Sequence, residues 1–295
     1  MIVPFRTLRR AAYIEGVGLH CGARLAVRLL PRDECGIVFA RVDLDGAPEI
    51  PAAFSSITHT THATTLAKNG HALSTTEHLL AALWMNGTTH CRVEVNGAEI
   101  PILDGSARDW QNLLDDAGAQ ELGGARPAFA LREPIWIGEG AASVLALPYP
   151  ALRVSVAVEY DREYLAPQVF DATLSPQTWK SEIAPARTFT LEEWIEPLRA
   201  AGLIRGGGED NAIVLRAEAP SSPLRCADEL ARHKALDVLG DIALLCGENG
   251  ALLHAHFIAI RAGHELHRRW METALQRGAL APVPETDIRL QKEIL

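Results

Sequence analysis

His233, Asp237 and Asp241 recur at four-residue intervals in the stretch Arg232-His233-Lys234-Ala235-Leu236-Asp237-Val238-Leu239-Gly240-Asp241. On an α-helix, positions i, i+4 and i+8 share a face, so an imidazole and two carboxylates project side by side. Leu236, Leu239, Ile242, Ala243 and Cys246 form the adjoining apolar stripe. A helix that buries one side and presents nitrogen and oxygen donors at its edge suits a first-row metal such as zinc. The competing reading is a solvated polar face on which His and Asp pair weakly.

Glu77-His78 could complete such a site. It lies in a segment expected to be helical from Ser74 to the stop signal Asn86-Gly87, with Leu79, Leu80, Leu83 and Trp84 along it. A metal hydrolase needs a third ligand and a carboxylate beside the bound water, and adjacent Glu and His supply both. The string Ser74-Thr75-Thr76-Glu77 also reads as a capping box in which Glu77 only satisfies the Ser74 backbone amide. Spacing alone leaves those two readings level. Gly263-His264 follows the apolar run 251–260, a strand-end position where catalytic groups often sit. His264 could act as general acid, with Asp241 placed to raise its pKa; a capping or surface histidine is the alternative.

Other histidines and glycines carry weaker signals. His254 and His256 alternate in a run containing Leu252, Leu253, Phe257 and Ile258, so a packed sheet is favoured over an H-x-H metal pair. His59 and His62 stand in a Thr-rich loop with no supported role. Arg205-Gly206-Gly207-Gly208-Glu209-Asp210-Asn211 lacks the Gly-Lys-Ser/Thr ending and the preceding strand of a phosphate loop. Its glycines are read as permitting a turn or a close backbone approach.

These groups need a scaffold. The first part of the chain predicts strands over 24–30 and 36–42, ended by the turns Pro31-Arg32-Asp33 and Asp45-Gly46. The helix from Ser74 is followed by a strand over 91–95, the turn Asn96-Gly97 and a helix over 110–116; Gly123-Gly124-Ala125-Arg126-Pro127 reads as a linker. The same order then returns. Strands are expected over 134–137, 143–147 and 152–160, then a helix over 190–201 opened by a Thr190/Glu193 capping box. The candidate metal helix over 228–246, a buried strand over 251–260 and a helix over 265–276 complete it, and the tail from Ala279 is poorly patterned. The expectation is an α+β protein with domains at 1–124 and 127–278 and a tail at 279–295.

Composition narrows the class. In 295 residues, 48% hydrophobic content is ample for a core and 22% charged content is an ordinary surface. A net charge of -9 argues against nucleic-acid binding, which needs basic patches. The 5 cysteines are odd in number and never spaced C-x-x-C, which fits a reducing cytoplasm and excludes a cysteine zinc finger. No apolar stretch follows the N-terminal arginines, so no signal peptide is expected. No run approaches the roughly 20 apolar residues of a membrane span, leaving at most peripheral membrane association.

The motifs, taken in order, are Gly16-Val17-Gly18-Leu19-His20, Ser74-Thr75-Thr76-Glu77-His78-Leu79 and Glu99-Ile100-Pro101-Ile102-Leu103-Asp104-Gly105-Ser106. They continue with Ala186-Arg187-Thr188-Phe189, Gly206-Gly207, Asp210-Asn211-Ala212-Ile213-Val214, Arg232-His233-Lys234 through Asp241, and Gly263-His264. Together they resemble the UDP-3-O-acyl-N-acetylglucosamine deacetylases of lipid A synthesis (the LpxC family), at compatible spacing through nearly the whole chain. The resemblance implies two α+β domains of similar topology, with paired helices sandwiched between two β-sheets. It implies His78, His233 and Asp237 as ligands of Zn²⁺, with Fe²⁺ as the alternative ion. Glu77 would be the general base, His264 the general acid, and Asp241 the group that orients it. Thr188 would help hold the oxyanion, and Lys234 would contact substrate or the oxyanion. Phe189 would pack on the sugar, with Leu19, His20, Gly207 and Arg261 as further substrate contacts. The implied partner is a small N-acetylated sugar or sugar nucleotide, and a cytoplasmic monomer is expected.

Departures from the family pattern concern substrate recognition. Arg187-Thr188-Phe189-Thr190-Leu191 stands where the family reads Arg-Thr-Phe-Gly-Phe, and Trp194 takes the place of an aspartate. Leu147 replaces a basic residue before Pro148, and the usual His-Pro after Tyr160 is absent. Glu209, with Arg205 nearby, falls where relatives line an acyl passage, and a carboxylate facing a fatty chain is costly. Three readings are therefore carried forward: the lipid A deacetylase itself, a paralogue that deacetylates another N-acetylated amino sugar or metabolite, and a catalytically silent binding protein.

Overall fold

The computed structural model describes residues 3–284. The first half contains β1 (Pro4–Leu8), β2 (Ala12–Val17), β3 (Arg24–Pro31), β4 (Gly36–Arg41) and β5 (Glu49–Pro51), then a small sheet of β6 (Ile57–His59), β7 (Thr65–Lys68) and β8 (His71–Leu73). Helix α1 (Glu77–Asn86), β9 (His90–Val95), α2 (Arg108–Ala117) and β10 (Ala119–Ala125) follow. The second half runs β11 (Ala128–Leu131), β12 (Ile135–Glu139), β13 (Ala142–Leu147), β14 (Leu152–Val158), β15 (Gln168–Thr173) and α3 (Pro176–Thr178). It continues with β16 (Phe189–Leu191), α4 (Glu192–Ala200), β17 (Ile213–Leu215), α5 (Glu229–Ile242), β18 (Leu252–Ile260), α6 (His264–Gln276) and β19 (Leu280–Pro282).

The two halves share one topology. β9 pairs parallel with β1 and β4 and antiparallel with β3. β18 pairs parallel with β11 and β14 and antiparallel with β13. Each of these neighbours carries one antiparallel outer strand: β10, β5 and β2 in the first sheet, β19, β15 and β12 in the second. Parallel pairing requires a crossover, supplied by α1 between β4 and β9 and by α5 between β14 and β18. The insertions also match. The β6–β8 sheet precedes α1, and the β16–α4–β17 unit precedes α5.

The crossover helices pack on each other in the layer between the sheets, and α5 packs in turn on β14 and β15. Their sequences fit that central position. Leu79 through Leu83 of α1 are buried on every face, as are Ala235, Leu236, Val238, Leu239, Gly240 and Ile242 of α5. The stripe predicted beside His233 and Asp237 is part of this core, so the helix is not a solvated polar face.

Local expectations fail at several places. Neither capping box forms: Ser74 N donates to Ala98 O, α1 begins at Glu77, and Glu193 at the start of α4 is bonded to Arg162. The 123–127 stretch is no linker, because β10 reaches Ala125 and the buried Arg126 guanidinium donates to the carbonyls of Gly250 and Ala251. The tail is ordered as β19 through Pro282, and positions 285–295 lie outside the described residues. Among the described residues, no helix is long and apolar enough to cross a membrane.

Candidate metal centre and active site

Glu77 and His78 open α1 because the chain turns sharply just before it. Thr75 has φ 58, an uncommon backbone for a β-branched residue. Its hydroxyl donates to Glu99 Oε1, and the same carboxylate accepts the amides of His20 and Cys21, each at 2.8 Å. Buried Glu99 thereby joins the 18–21 loop to the entry of α1. A Cβ at Gly18 would lie 2.6 Å from Glu99 Oε2, which accounts for the glycine in Gly18-Leu19-His20.

The other groups come from the second half. Gln168 Oε1 accepts the amides of Leu230 and Ala231 and so caps α5 from a distant strand. Arg187 grips the buried Glu229 carboxylate through Nε and Nη2 at 2.9 and 3.0 Å, joining the entry of β16 to the start of α5. His233 Nδ1 lies 3.0 Å from Ala186 O, so this nitrogen carries the proton and Nε2 is free to ligate.

His78, His233 and Asp237 converge. Their donor atoms lie within 4.8 Å of one another, with Asp237 Oδ1 3.5 Å from His233 Nε2 and 3.9 Å from His78 Nε2. Tetrahedral zinc with bonds near 2.0 Å needs donors about 3.3 Å apart, so small shifts close the set on one ion. Protonation fits as well. Burial pushes His78 down to about 3 and lowers His233, leaving both imidazoles neutral. Burial opposes ionisation of Asp237, but the Lys234 charge, with protonated His264 adding to it, outweighs burial and holds the carboxyl well below its usual range. Lys234 Nζ donates to Asp237 Oδ2 at 2.7 Å and lies 5.5 Å from the Phe189 ring centroid.

Glu77 and His264 line the same cavity as this cluster. Burial, with Asp241 and Asp237 adding to it, pushes Glu77 up to about 7. Burial works against the charged form of His264, yet the Asp241 carboxylate 2.7 Å from its Nδ1 raises it to about 10. Asp241 itself is held at about 2: burial is overcome by His264 and by His267, whose Nδ1 is 2.6 Å away. Thr64 connects the two sides, its amide donating to Glu77 Oε2 at 3.2 Å and its hydroxyl to Asp241 Oδ1 at 2.5 Å.

Most of these groups line one cavity of about 670 Å³. Glu77, His78, His233, Asp237, His264, Thr188, Lys234, Phe189, Leu19, His20 and Gly207 all reach it. Asp241 stands behind His264. Arg261 is not brought to the cavity; it is exposed, with Nη1 3.9 Å from Glu159 Oε2. The matched insertions both contribute: Thr60 and His62 from the first, and Thr188, Phe189, Ile195, Leu198 and Val214 from the second. Gly206 is required there, since a Cβ would sit 2.3 Å from Gly18 O. Glu209 lines the cavity but is bonded to Arg216, whereas Arg205 does not line it. His254 and His256 form no metal cluster among the described residues; His256 Nε2 meets Ser155 Oγ at 2.7 Å.

A family model for UDP-3-O-acyl N-acetylglycosamine deacetylase matches residues 5–276. The chain belongs to the UDP-3-O-acyl N-acetylglycosamine deacetylase family. Proteins named UDP-3-O-acyl-N-acetylglucosamine deacetylase are among its relatives. The one from Thermosynechococcus vestitus is 40% identical, covering 92% of this chain and 94% of its own. That from Nostoc sp. is 41% identical over 88% of this chain and 94% of its own, and that from Solibacter usitatus 39% over 88% of each. As a deacetylase-family member the protein is a metal-dependent hydrolase acting on an amide bond.

Four residues that support this site were missed in the sequence. Thr64 and Gln168 act across long separations and leave no local pattern, and Glu99 opens a recognised motif that gives no sign of its bonds to His20, Cys21 and Thr75. His267 does leave one, lying one helical turn after His264 on α6.

Proposed function

We propose that the protein removes the acetyl group from UDP-3-O-acyl-N-acetylglucosamine in lipid A synthesis, using Zn²⁺ held by His78, His233 and Asp237. The observation that carries this reading is that Glu77 and His264 line the same cavity as the three-ligand cluster. Two imidazoles and a carboxylate also suit Fe²⁺. Zn²⁺ held by these three residues would supply Lewis acidity toward a water and the acetamide carbonyl.

Glu77 takes the proton of the attacking water. Thr188 donates to the oxygen that gains charge as the new C–O bond forms. Phe189, whose ring centroid lies 6.1 Å from that of His233, gives the sugar a flat wall. His264 delivers its Nε2 proton to the departing nitrogen as the C–N bond breaks, so the amine never leaves as an anion. Acetate and a free amine result. The apolar wall of Leu19, Ile195, Leu198, Ile204 and Val214 supports a fatty chain as part of the substrate. Five free cysteines support a reducing, cytoplasmic setting.

The test is direct. Zinc-loaded protein is incubated with the acylated nucleotide sugar, and acetate and free amine are quantified. Equal amounts of both are expected; an intact substrate would overturn the reading.

A further inference from the structure

We infer that His267 is a positioning residue for proton delivery, acting on His264 through the carboxylate they share. The inference rests on the proposed role of His264 as general acid. His267 lies one turn along α6 from His264, is 1% exposed, and lines none of the cavity. Its Nδ1 is 2.6 Å from Asp241 Oδ2, the oxygen that also lies 2.7 Å from His264 Nδ1. A carboxylate only accepts, so both Nδ1 atoms are donors, and His264 is left with Nε2 as the nitrogen facing the cavity. The two rings stand at 87°, so they approach the oxygen from different directions.

Three donors thus surround Asp241: His264 and His267 on Oδ2 and the Thr64 hydroxyl on Oδ1. With them in place the carboxylate cannot rotate without losing a charge-assisted hydrogen bond in a buried site. His267 has no competing attachment, since its Nε2 meets no hydrogen-bond partner among the described residues. A fully buried imidazole held only by Asp241 fits a role directed at that carboxylate. The other titratable groups facing His264 are Glu77, Asp237 and His78, with Glu139 and Lys234 also on the cavity wall. None of them bonds Asp241.

The experiment is a mutant cycle on the metal-loaded enzyme. His267→Leu removes the donor and keeps an apolar filling. His267→Asn keeps an N–H donor two bonds from Cβ, where Nδ1 now stands, and His267→Gln moves the same amide one methylene further out. We expect His267→Leu and His267→Gln to lower kcat roughly 10- to 100-fold with KM and metal content unchanged. His267→Asn should return kcat to near the wild-type value, and His267→Leu in an Asp241→Asn background should cause no further loss. Wild-type kcat in His267→Leu, equal loss in Asn and Gln variants, or multiplying losses in the double variant would each overturn the inference. If His267→Leu does not fold, the Asn and Gln pair decides alone. An inactive wild type would instead refute the deacetylase reading itself.

Discussion

Gly240 lies against the backbone of Glu77 so closely that a Cβ on it would sit 2.1 Å from the Glu77 carbonyl oxygen. This is where α1 and α5 cross, and it sets Glu77 and His78 on one helix beside His233 and Asp237 on the other. No rotamer relieves a clash with backbone, so Gly240→Ala must push the helices apart. We expect a loss of about 1–3 kcal/mol or more in stability, together with reduced turnover. Thermal unfolding and steady-state rates measure both; an unchanged melting temperature would show that the crossing is looser than this.

Metal content should depend on the cluster as a unit. Wild-type protein should hold about one zinc or iron per chain, and His78→Ala or Asp237→Ala should lose it. Elemental analysis after gel filtration is the check. Retention of metal in both variants would displace the site.

Glu77→Ala and His264→Ala should keep the metal and the fold but lose about 10² to 10⁴ in rate. The capping box is absent, so Glu77 does not serve the Ser74 amide; its carboxylate accepts the Thr64 amide instead. Near-normal turnover in Glu77→Ala would remove it as the base.

Activity should be bell-shaped in pH, requiring Glu77 ionised and His264 protonated. His264, raised to about 10, sets the alkaline limb, which falls as pH rises through that value. Burial places Glu77 near 7, and a bound cation pulls it lower, so the acid limb should lie below 7 in the loaded enzyme. Asp241→Asn removes the anion that holds the His264 proton and should move the alkaline limb to lower pH. A limb that stays in place would separate Asp241 from His264.

The acyl chain should contribute to binding. Glu209 reaches the cavity, but Arg216 matches its charge, and the surrounding wall is apolar. Each methylene buried is worth about 0.8 kcal/mol, so shortening the chain should raise KM by about fourfold per carbon until the wall ends. Indifference between the acylated nucleotide sugar and UDP-N-acetylglucosamine would favour the paralogue reading instead.

The chemistry was legible where it followed helical periodicity. His233, Asp237 and Asp241 project together because α5 runs unbroken, and its apolar stripe marked the buried side. Glu77 stayed ambiguous because Thr75 adopts a positive φ that its residue type does not announce. The Thr190/Glu193 box misled for a related reason, since β16 extends through Leu191 and Arg162 takes the Glu193 carboxylate. Gly123-Gly124 looked flexible by composition, yet the strand there is fixed by pairing and Arg126 by distant carbonyls. Arg261, which the resemblance implied as a substrate contact, lies outside the cavity lining because the strand-end turn carries it toward Glu159.

The matched halves have a consequence for assembly. His78 comes from the first crossover helix, and His233 and Asp237 from the second, so neither half contains the whole three-ligand set. An ion held by all three would act as a clasp between segments far apart in the chain, restricting the unfolded state much as a cross-link does. Chelators should therefore do more than silence the enzyme: they should loosen the seam between its two sheets, and stripped protein should melt at a lower temperature than loaded protein.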